Sequence, residues 1–155
     1  QDGQVIDESL DIMRWSILIN DPDSWFVNKK NEQLDAIRRN DQEFKTWLDR
    51  YKYHTRHPEF PVEHYRDKCV QILDDYERIL DNKEFLFNQS ISLGDMALLP
   101  FIRQFAYVDI KWFNQRFDNH PKWMENIFES GIFKSMMKKY DTWISDKKGE
   151  IIIFN

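Results

Sequence analysis

Few side chains of this sequence combine a reactive type with a spacing that chemistry could use. His54 and His57 stand three residues apart, with Glu59 and His64 close by in the sequence. Imidazoles at that spacing can bind zinc from one face of a helix, but a complete ligand set is not evident. Pro58 also interrupts the segment, because proline cannot continue a helix. We therefore expect a solvated loop here, and no metal.

Cys69 is the single cysteine and the one thiol that could act as a nucleophile. It shares an apolar helical spacing with Tyr65, Ile72 and Tyr76, which places it on the inward stripe of a helix. A thiol buried among apolar groups is inert. One cysteine also excludes a disulfide framework and favours a reducing compartment, so we expect a cytoplasmic protein.

The composition narrows the classes of protein that this chain can belong to. It has 155 residues, 41% of them hydrophobic and 32% charged, as in one soluble globular domain. A net charge of −5 gives no basic face for nucleic acid, and no apolar run is long enough to span a membrane. Glycine (4) and proline (5) are scarce, which favours long helices. We expect no nucleic-acid partner and no membrane association.

The elements that position these residues begin with a turn. Asp2 and Gly3 are typical of a tight hairpin turn, and residues 4–6 then predict a short strand. A hairpin needs a strand before its turn, so we expect the other arm to lie upstream of this chain. A helix over residues 8–19 follows, with Asp7 as its N-cap. It is apolar on several sides and requires cover on several sides, one of which a missing sheet would supply.

Helical periodicity predicts most of the remaining chain. Two long antiparallel helices are expected over residues 31–54 and 61–80, as in an up-down bundle. A third begins near Ser92 and ends near Tyr107. Shorter helices are predicted at residues 121–129 and 131–144, which gives about five to seven helices in all. The four consecutive apolar residues in the tail, residues 150–155, are compatible with a strand, a docking segment or a tag-derived end.

The Ser-Leu-Gly-Asp sequence that starts at Ser92 fits a capping box. The Ser92 hydroxyl can accept from the backbone N–H of Asp95, while the Asp95 carboxylate accepts from the N–H of Ser92. Ile91 and Met96 occupy the flanking positions of a hydrophobic staple. The pattern therefore predicts the start of a central helix, which Pro100 should kink.

The capped helix and the opening segment together resemble the cytosolic glutathione transferases. Residues 97–105, which follow the capping box, are similar to the sixth helix of that family. Residues 5–9 read Val-Ile-Asp-Glu-Ser and resemble the end of its thioredoxin-like domain, where a strand runs into a Glu-Ser pair at a helix start. Residues 10–15, 50–53 and 85–87 continue the likeness. By this resemblance the chain is the C-terminal helical domain of a bacterial glutathione-transferase-like protein.

The resemblance implies an all-α, glutathione-transferase C-terminal-like helical bundle with a remnant strand at its N-terminus. Residues 1–19 would be the remnant of the thioredoxin-like domain, namely its last strand and helix. Residues 20–155 would be the C-terminal helical domain. The rest of the thioredoxin-like domain would be missing from this chain.

The Glu-Ser pair of the family grips the γ-glutamyl end of glutathione, which assigns that role in the intact protein to Glu8 and Ser9. A helix start offers free N–H groups that suit a carboxylate, and the Glu8 carboxylate can pair with the ammonium of the ligand. The alternative is that both residues simply favour a helix start. Glutathione would be a substrate, and the resemblance implies no metal.

The second pocket of such enzymes, for the electrophile, is lined largely by the helical half. The candidates on helices that face it are Tyr51, Tyr53, His54, Arg103 and Tyr107. Tyr51 and Tyr53 lie two residues apart, so only one can face a given direction, and an aromatic at helical spacing is more often core. The activating Tyr, Ser or Cys of the family lies in the thioredoxin-like half. We therefore expect no catalytic residue here and no conjugation by this chain alone.

The resemblance predicts the electrophile-site part of a glutathione S-transferase-like protein. Its partners would be glutathione, a small electrophile or disulfide, the missing thioredoxin-like domain and, as a further possibility, a second copy. One alternative is a non-catalytic protein-interaction module with the same fold. Another is a free-standing helical protein that forms a homodimer through its apolar first helix.

Overall fold

The computed structural model describes residues 5–139, and every regular element in that range is helical. The predicted all-α architecture is therefore confirmed there. A π-helical segment, Asn40–Phe44, and two 3-10 turns, His54–Arg56 and Leu80–Asn82, accompany the α-helices. The α-helices are α1 (Ser9–Ile19), α2 (Lys30–Arg39), α3 (Lys45–Lys52), α4 (Val62–Ile79), α5 (Leu93–Ala106), α6 (Ile110–Arg116), α7 (Asn119–Glu129) and α8 (Gly131–Met136).

The first long helix of the bundle is continuous from Lys30 to Lys52, because the π-helical segment joins α2 directly to α3. This agrees with the predicted helix over residues 31–54. Its inward stripe follows spacings of three, four and seven residues, as an amphipathic helix requires. The buried apolar side chains of this stripe are Ile37, Phe44, Leu48 and Tyr51.

The second long helix, α4, runs antiparallel to α2 and α3. Near its C-terminal end, Asp75 Oδ2 accepts a hydrogen bond from Arg39 Nη1 at 2.6 Å. Near its N-terminal end, the His64 ring lies 6.3 Å from that of Trp47, centroid to centroid. Ends that meet in this order confirm the predicted up-down pair. The buried stripe of α4 is Tyr65, Cys69, Ile72, Leu73 and Tyr76.

The core is centred on α5, which is buried along most of its length. Phe105 illustrates the packing, since its ring lies 5.2 Å from that of Tyr51 and 6.1 Å from those of Phe44 and Phe113. Each such fully buried side chain contributes about 1.5–3 kcal/mol by removal of apolar surface from water. Helix α5 therefore packs against α3 and α6, within a buried cluster to which side chains of α4 also belong.

Helix α1 differs from all the others that carry a long apolar stripe, because none of its residues is buried. The stripe that the periodicity predicts is half-buried and consists of Leu10, Met13 and Ile17. The large side chains elsewhere on the helix are more open to solvent: Ile12 (47% exposed), Trp15 (53%), Ile19 (67%) and Leu18 (83%). The described residues thus cover one side of an apolar helix and leave another side uncovered.

The start of α1 departs from the sequence-based prediction in two respects. Residues 5–7 have no regular structure, so the described part of the predicted strand 4–6 is not a strand. A strand needs a neighbour to supply ladder hydrogen bonds, and residues 5–139 contain none. The N-cap residue is Glu8, not Asp7, and the Glu8 side chain makes no capping hydrogen bond.

The C-terminal part adds a helix that the periodicity missed. Helix α6 has seven residues, too few for its apolar pattern to be recognised, although Asp109 Oδ1 accepts from Trp112 N at 2.9 Å as an N-cap. The helix predicted over residues 131–144 begins where expected, and α8 ends at Met136. Residues 140–144, the tail 150–155 and the predicted turn at Asp2 and Gly3 lie outside the described residues. Within the described range, no helix is long and apolar enough to cross a membrane.

Candidate functional site

Glu8 and Ser9 stand at the beginning of α1, as the sequence predicted. Glu8 is extended (φ −89°, ψ 132°), and its carbonyl accepts the first helical hydrogen bond, from Ile12 N at 3.0 Å. Both residues are exposed. Because the N–H groups of the first turn have no helical partner, this end can bind an anion, beside a carboxylate that can bind a cation. That combination fits a zwitterionic ligand.

Tyr51 lies in the core, between α3 and α5. Burial raises the pKa of its hydroxyl, while the nearby Arg66 guanidinium acts in the opposite direction. The ring packs against Phe105, so a ligand could reach Tyr51 only if the core opened. The accessible member of the two tyrosines is therefore Tyr53.

Tyr53 and His54 follow the end of α3 and are exposed. Two cations lie over the Tyr53 ring, with Lys52 Nζ 5.1 Å and the Arg56 guanidinium 4.7 Å from its centroid. His54 Nδ1 lies 3.3 Å from the Tyr51 carbonyl oxygen. Both side chains are thus available to a ligand at this end of the bundle.

Arg103 lies on the last turn of α5, and Tyr107 is the C-cap residue of that helix. The Arg103 guanidinium is 5.4 Å from the centroid of the Tyr107 ring and 5.9 Å from that of Phe128. Tyr107 is 62% exposed. A planar cation that lies over aromatic rings loses little mobility when it binds an anion, since its orientation is already fixed.

Helices α3 and α5, which carry these candidates, are joined at the surface by Lys52 and Gln104. Lys52 Nζ donates to Gln104 Oε1 at 2.7 Å. Tyr53 is adjacent to Lys52 in the sequence, and Arg103 is adjacent to Gln104. The structure therefore brings both helices to one surface but holds Tyr53 and Arg103 in separate local contacts.

Cys69 is completely buried, which confirms that part of the prediction of a buried, inert thiol. Burial alone raises its pKa well above the ordinary range, so the reactive thiolate is suppressed. Among residues 5–139, no three His, Cys, Asp or Glu side chains are placed to hold a metal ion. His57 instead lies 3.9 Å from Asp49 Oδ2, and His64 stacks on Phe60 at 4.3 Å.

The predicted capping box at the start of α5 is confirmed. Ser92 Oγ accepts from Asp95 N at 3.3 Å, and Asp95 Oδ2 accepts from Ser92 N at 3.0 Å. The same carboxylate also accepts from Leu86 N at 2.9 Å and from Trp123 Nε1 at 2.8 Å. Both Ser92 and Asp95 are fully buried. This pair is therefore structural, and it joins α5 to α7 and to the preceding loop.

Sequence reasoning missed Gln33, which is the buried polar link between the first loop and α5. Gln33 Nε2 donates to the carbonyls of Trp25 (3.1 Å) and Asn28 (2.8 Å), while Oε1 accepts from Gly94 N at 2.9 Å. The sequence could have indicated that Gln33 is buried, because it stands four residues before Ile37 and therefore lies on the same face of the helix.

Glu77 and His120 form a second link that the sequence did not reveal, between α4 and α7. The Glu77 carboxylate accepts from the backbone N–H groups of Asp118, Asn119 and His120 at 2.8–3.0 Å, so α4 caps the start of α7. His120 is fully buried and its Nε2 lies 3.0 Å from the Leu73 carbonyl oxygen. Burial lowers the pKa of His120, whereas the Leu73 carbonyl and the Glu77 carboxylate act to raise it.

Solved structures that superpose on this chain are glutathione transferases and related proteins. Poplar glutathione transferase F1 gives a TM-score of 0.67 over 88% of this chain and 70% of its own, at 19% identity. Ure2p5 from Phanerochaete chrysosporium, cocrystallised with 1-(S-glutathionyl)-2,4-dinitrobenzene, gives 0.70 over 85% and 67%, at 13% identity. Ure2p8 from the same organism, solved with oxidised glutathione, gives 0.67 over 85% and 64%, at 16% identity.

No protein-family model matches the sequence, and no curated protein matches it either. At such low identities, the structural likeness shows the fold. The chain has the fold of the glutathione transferases, as an all-α bundle like their C-terminal part.

Proposed function

We propose that this chain is the helical, electrophile-site part of a glutathione S-transferase-like protein. Residues 1–19 would belong to the thioredoxin-like domain, and residues 20–155 would form the C-terminal helical domain. The protein would act in the cytoplasm on glutathione and a small electrophile or disulfide. The observation that carries this proposal is the exposed apolar side of α1 in a fold shared with glutathione transferases.

The state of α1 supports the proposed domain division. A solvent-exposed tryptophan, leucine and two isoleucines lie on this one helix, and clustered apolar surface of this kind marks sites of interaction with another protein surface. A thioredoxin-like domain would cover this side, with α1 as its own last helix. In that arrangement the helical bundle would cover one apolar side of α1, and the thioredoxin-like domain would cover the other.

Glu8 and Ser9 would then bind the γ-glutamyl end of glutathione. The free N–H groups at the start of α1 and the Ser9 hydroxyl would donate to the ligand carboxylate, and the Glu8 carboxylate would accept from the ligand ammonium. Activation of the glutathione thiol would come from a residue of the thioredoxin-like domain. Tyr53, His54, Arg103 and Tyr107 are the accessible residues for contact with the electrophile.

This assignment is tested by titrating the longest natural form of the protein with glutathione and measuring the binding by isothermal titration calorimetry. Replacement of Glu8 by Gln is expected to weaken glutathione binding about tenfold or more, because it removes a charged hydrogen-bond acceptor. Glu32→Gln is the matched control, since Glu32 is an exposed acid on α2 that pairs with Lys29. Equal affinity of the Glu8→Gln variant and the parent would contradict the assignment.

The chain alone should not conjugate glutathione. Purified chain and glutathione are mixed with 1-chloro-2,4-dinitrobenzene, and the expected rate equals that of the reaction without protein. Saturable turnover by the chain alone would show that an activating residue lies within it, and the proposed division of labour would then fail.

A non-catalytic interaction module is the second candidate, and the same open side of α1 favours it. In this case α1 would bind another protein or a second copy of this chain. A longer natural form with a thioredoxin-like half that lacks an activating Cys, Ser or Tyr, and that does not bind glutathione, would favour the module. A stable dimer of this chain, broken by polar substitutions on α1, would favour the homodimer.

A further inference from the structure

We propose that the groove between α3 and α5 is a binding site for a small aromatic monocarboxylate. The groove has a volume of about 190 Å³ and is lined by Lys45, Leu48, Asp49, Lys52, Phe101 and Gln104. None of these is a residue that the sequence assigned to a site. The proposal concerns an activity beyond glutathione chemistry, and it does not depend on that chemistry.

The floor of the groove is apolar and contains an aromatic ring. Leu48 is buried, and Phe101 is half-buried against the core. Lys45 Nζ lies 4.3 Å from the centroid of the Phe101 ring, close enough for a cation–π contact that holds both groups in place. The remaining surface of Phe101 suits the edge or face of a second ring. Ligand pockets for drug-sized molecules usually start at about 300 Å³, so this groove suits a ligand with one ring.

The charge in the groove comes from two lysines that lie seven residues apart, on the same face of α3. Lys45 is paired with Asp41, at 2.6 Å. Lys52 has no carboxylate partner in the described part of the chain, and its hydrogen bond goes to the neutral Gln104. Since an ammonium group has three N–H donors, Lys52 keeps two for a ligand. Lys52 is therefore the cation that can accept a new anion.

Gln104 adds a fixed neutral donor beside Lys52. Its Oε1 accepts a hydrogen bond from Lys52, which fixes the orientation of the amide. The two N–H groups of the amide are not used in this bond. Those N–H groups make no hydrogen bond within residues 5–139. A carboxylate has two oxygens, and it can accept from Lys52 with one and from Gln104 with the other.

Asp49 limits the charge of the ligand. The lining carries the ammonium groups of Lys45 and Lys52 and the carboxylate of Asp49, whose Oδ2 lies near His57 at 3.9 Å. Since Asp41 already pairs with Lys45, one ligand carboxylate can pair with Lys52, whereas a second carboxylate would meet Asp49 and be repelled. The groove should thus prefer benzoate to phthalate.

Amide chemical shifts of the full chain, titrated with benzoate by NMR, test the proposal. Benzoate should cause saturable shifts at α3 and α5, whereas benzamide, which has the same shape without the charge, should bind about tenfold more weakly or worse. Cyclohexanecarboxylate tests the ring and should also bind more weakly. Raising the salt concentration from 50 to 500 mM should weaken benzoate binding.

Lys52→Met should weaken benzoate binding about tenfold or more. Lys83→Met is the control, because Lys83 is an exposed lysine outside this groove. Gln104→Leu, which leaves both lysines intact, is a second variant in case Lys52→Met fails to fold, and it should weaken binding severalfold.

Saturable shifts that are confined to α3 and α5, and that are lost in Lys52→Met or Gln104→Leu but kept in Lys83→Met, support the site. Three results would overturn it: no saturable shift, equal binding of benzoate and benzamide, or an equal loss in Lys83→Met. The titration contains no glutathione, so a negative result leaves the assignment of Glu8 and Ser9 unaffected. A finding that Glu8 and Ser9 do not bind glutathione would likewise leave the proposed site in the groove unaffected.

Discussion

The indole N–H of Trp123 donates a hydrogen bond of 2.8 Å to Asp95 Oδ1, and this bond ties α7 to the start of α5. The Asp95 carboxylate also accepts from Leu86 N and from both the N–H and the hydroxyl of Ser92. Burial raises the pKa of Asp95, and the hydrogen bonds oppose that rise. The capping box is therefore a junction between distant segments as well as a helix cap.

Replacement of Asp95 by Ala should lower the free energy of unfolding by about 3 kcal/mol or more. The change leaves the buried donors of Leu86, Ser92 and Trp123 without an acceptor, and each such group costs about 1–3 kcal/mol. Urea denaturation measures the loss. Asp81→Ala is the control, since Asp81 is an exposed acid. Similar losses in the two variants would refute a special role for Asp95.

Trp123→Phe separates the tertiary hydrogen bond from the local cap. Phenylalanine keeps an aromatic ring in the core but removes the five-membered part of the indole with its N–H, while the Ser92–Asp95 pair remains intact. We expect a loss of about 1–2 kcal/mol, smaller than that of Asp95→Ala. The two variants are compared by urea denaturation, and a loss as large as that of Asp95→Ala would mean that packing, not the hydrogen bond, dominates at Trp123.

Gly94 is required because the Phe87 ring packs directly against it. A Cβ atom at this position would lie 2.4 Å and 2.8 Å from two ring carbons of Phe87. Gly94→Ala should therefore lower the free energy of unfolding by about 1–3 kcal/mol, through overpacking. Gly131→Ala is the matched control, since a Cβ there would meet nothing within 4 Å. Thermal unfolding of both variants checks this, and a Gly94→Ala variant as stable as the control would contradict it.

The features that the sequence predicted well depend on residues close together in the chain. Ser92 and Asp95 are three residues apart, so their reciprocal hydrogen bonds follow from helix geometry. The stripe that buries Cys69 follows from periodicity in the same way. Local spacing was thus sufficient for the longer helices and for the cap, but not for the seven-residue helix α6.

The features that the sequence did not reveal join residues that are far apart. Gln33 is 61 residues from Gly94, and Trp123 is 28 residues from Asp95. No periodic pattern encodes such pairs, because they depend on how the helices pack. The same limit applies to Tyr51, whose burial is fixed by Phe105 on another helix. Packing thus removes Tyr51 from the accessible candidates for the electrophile site, and the other four stay predictions.

Leu18 provides a test of the open side of α1. It is 83% exposed, so Leu18→Gln should change the free energy of unfolding by no more than about 0.5 kcal/mol. The substitution should nevertheless reduce self-association of this chain, measured by light scattering at increasing concentration, because it removes exposed apolar surface. Leu98→Ala is the contrasting variant, since Leu98 is buried and its truncation should cost about 2–5 kcal/mol. A large loss of stability in Leu18→Gln would show that Leu18 is covered.

His120 should make the stability of the bundle depend on pH. Burial holds the pKa of His120 below its ordinary value, whereas in the unfolded chain it is about 6.5. As the pH falls below about 6.5, the unfolded state therefore binds more protons than the folded state does. The contribution of the neutral imidazole is fully present above about pH 6.5 and is lost as the pH falls towards the folded-state pKa. The slope from this one group reaches at most about 1.4 kcal/mol per pH unit.

Urea denaturation at intervals from pH 8 to pH 5 measures this dependence. His120→Gln removes the titrating group, and its amide can still donate to the Leu73 carbonyl, so its stability should vary less with pH than that of the parent. His64→Gln is the control, because His64 is only half-buried, stacked on Phe60 at the surface. The comparison is between slopes, so an overall loss of stability in His120→Gln does not affect it. Equal slopes in His120→Gln and the parent would show that His120 is not the group responsible.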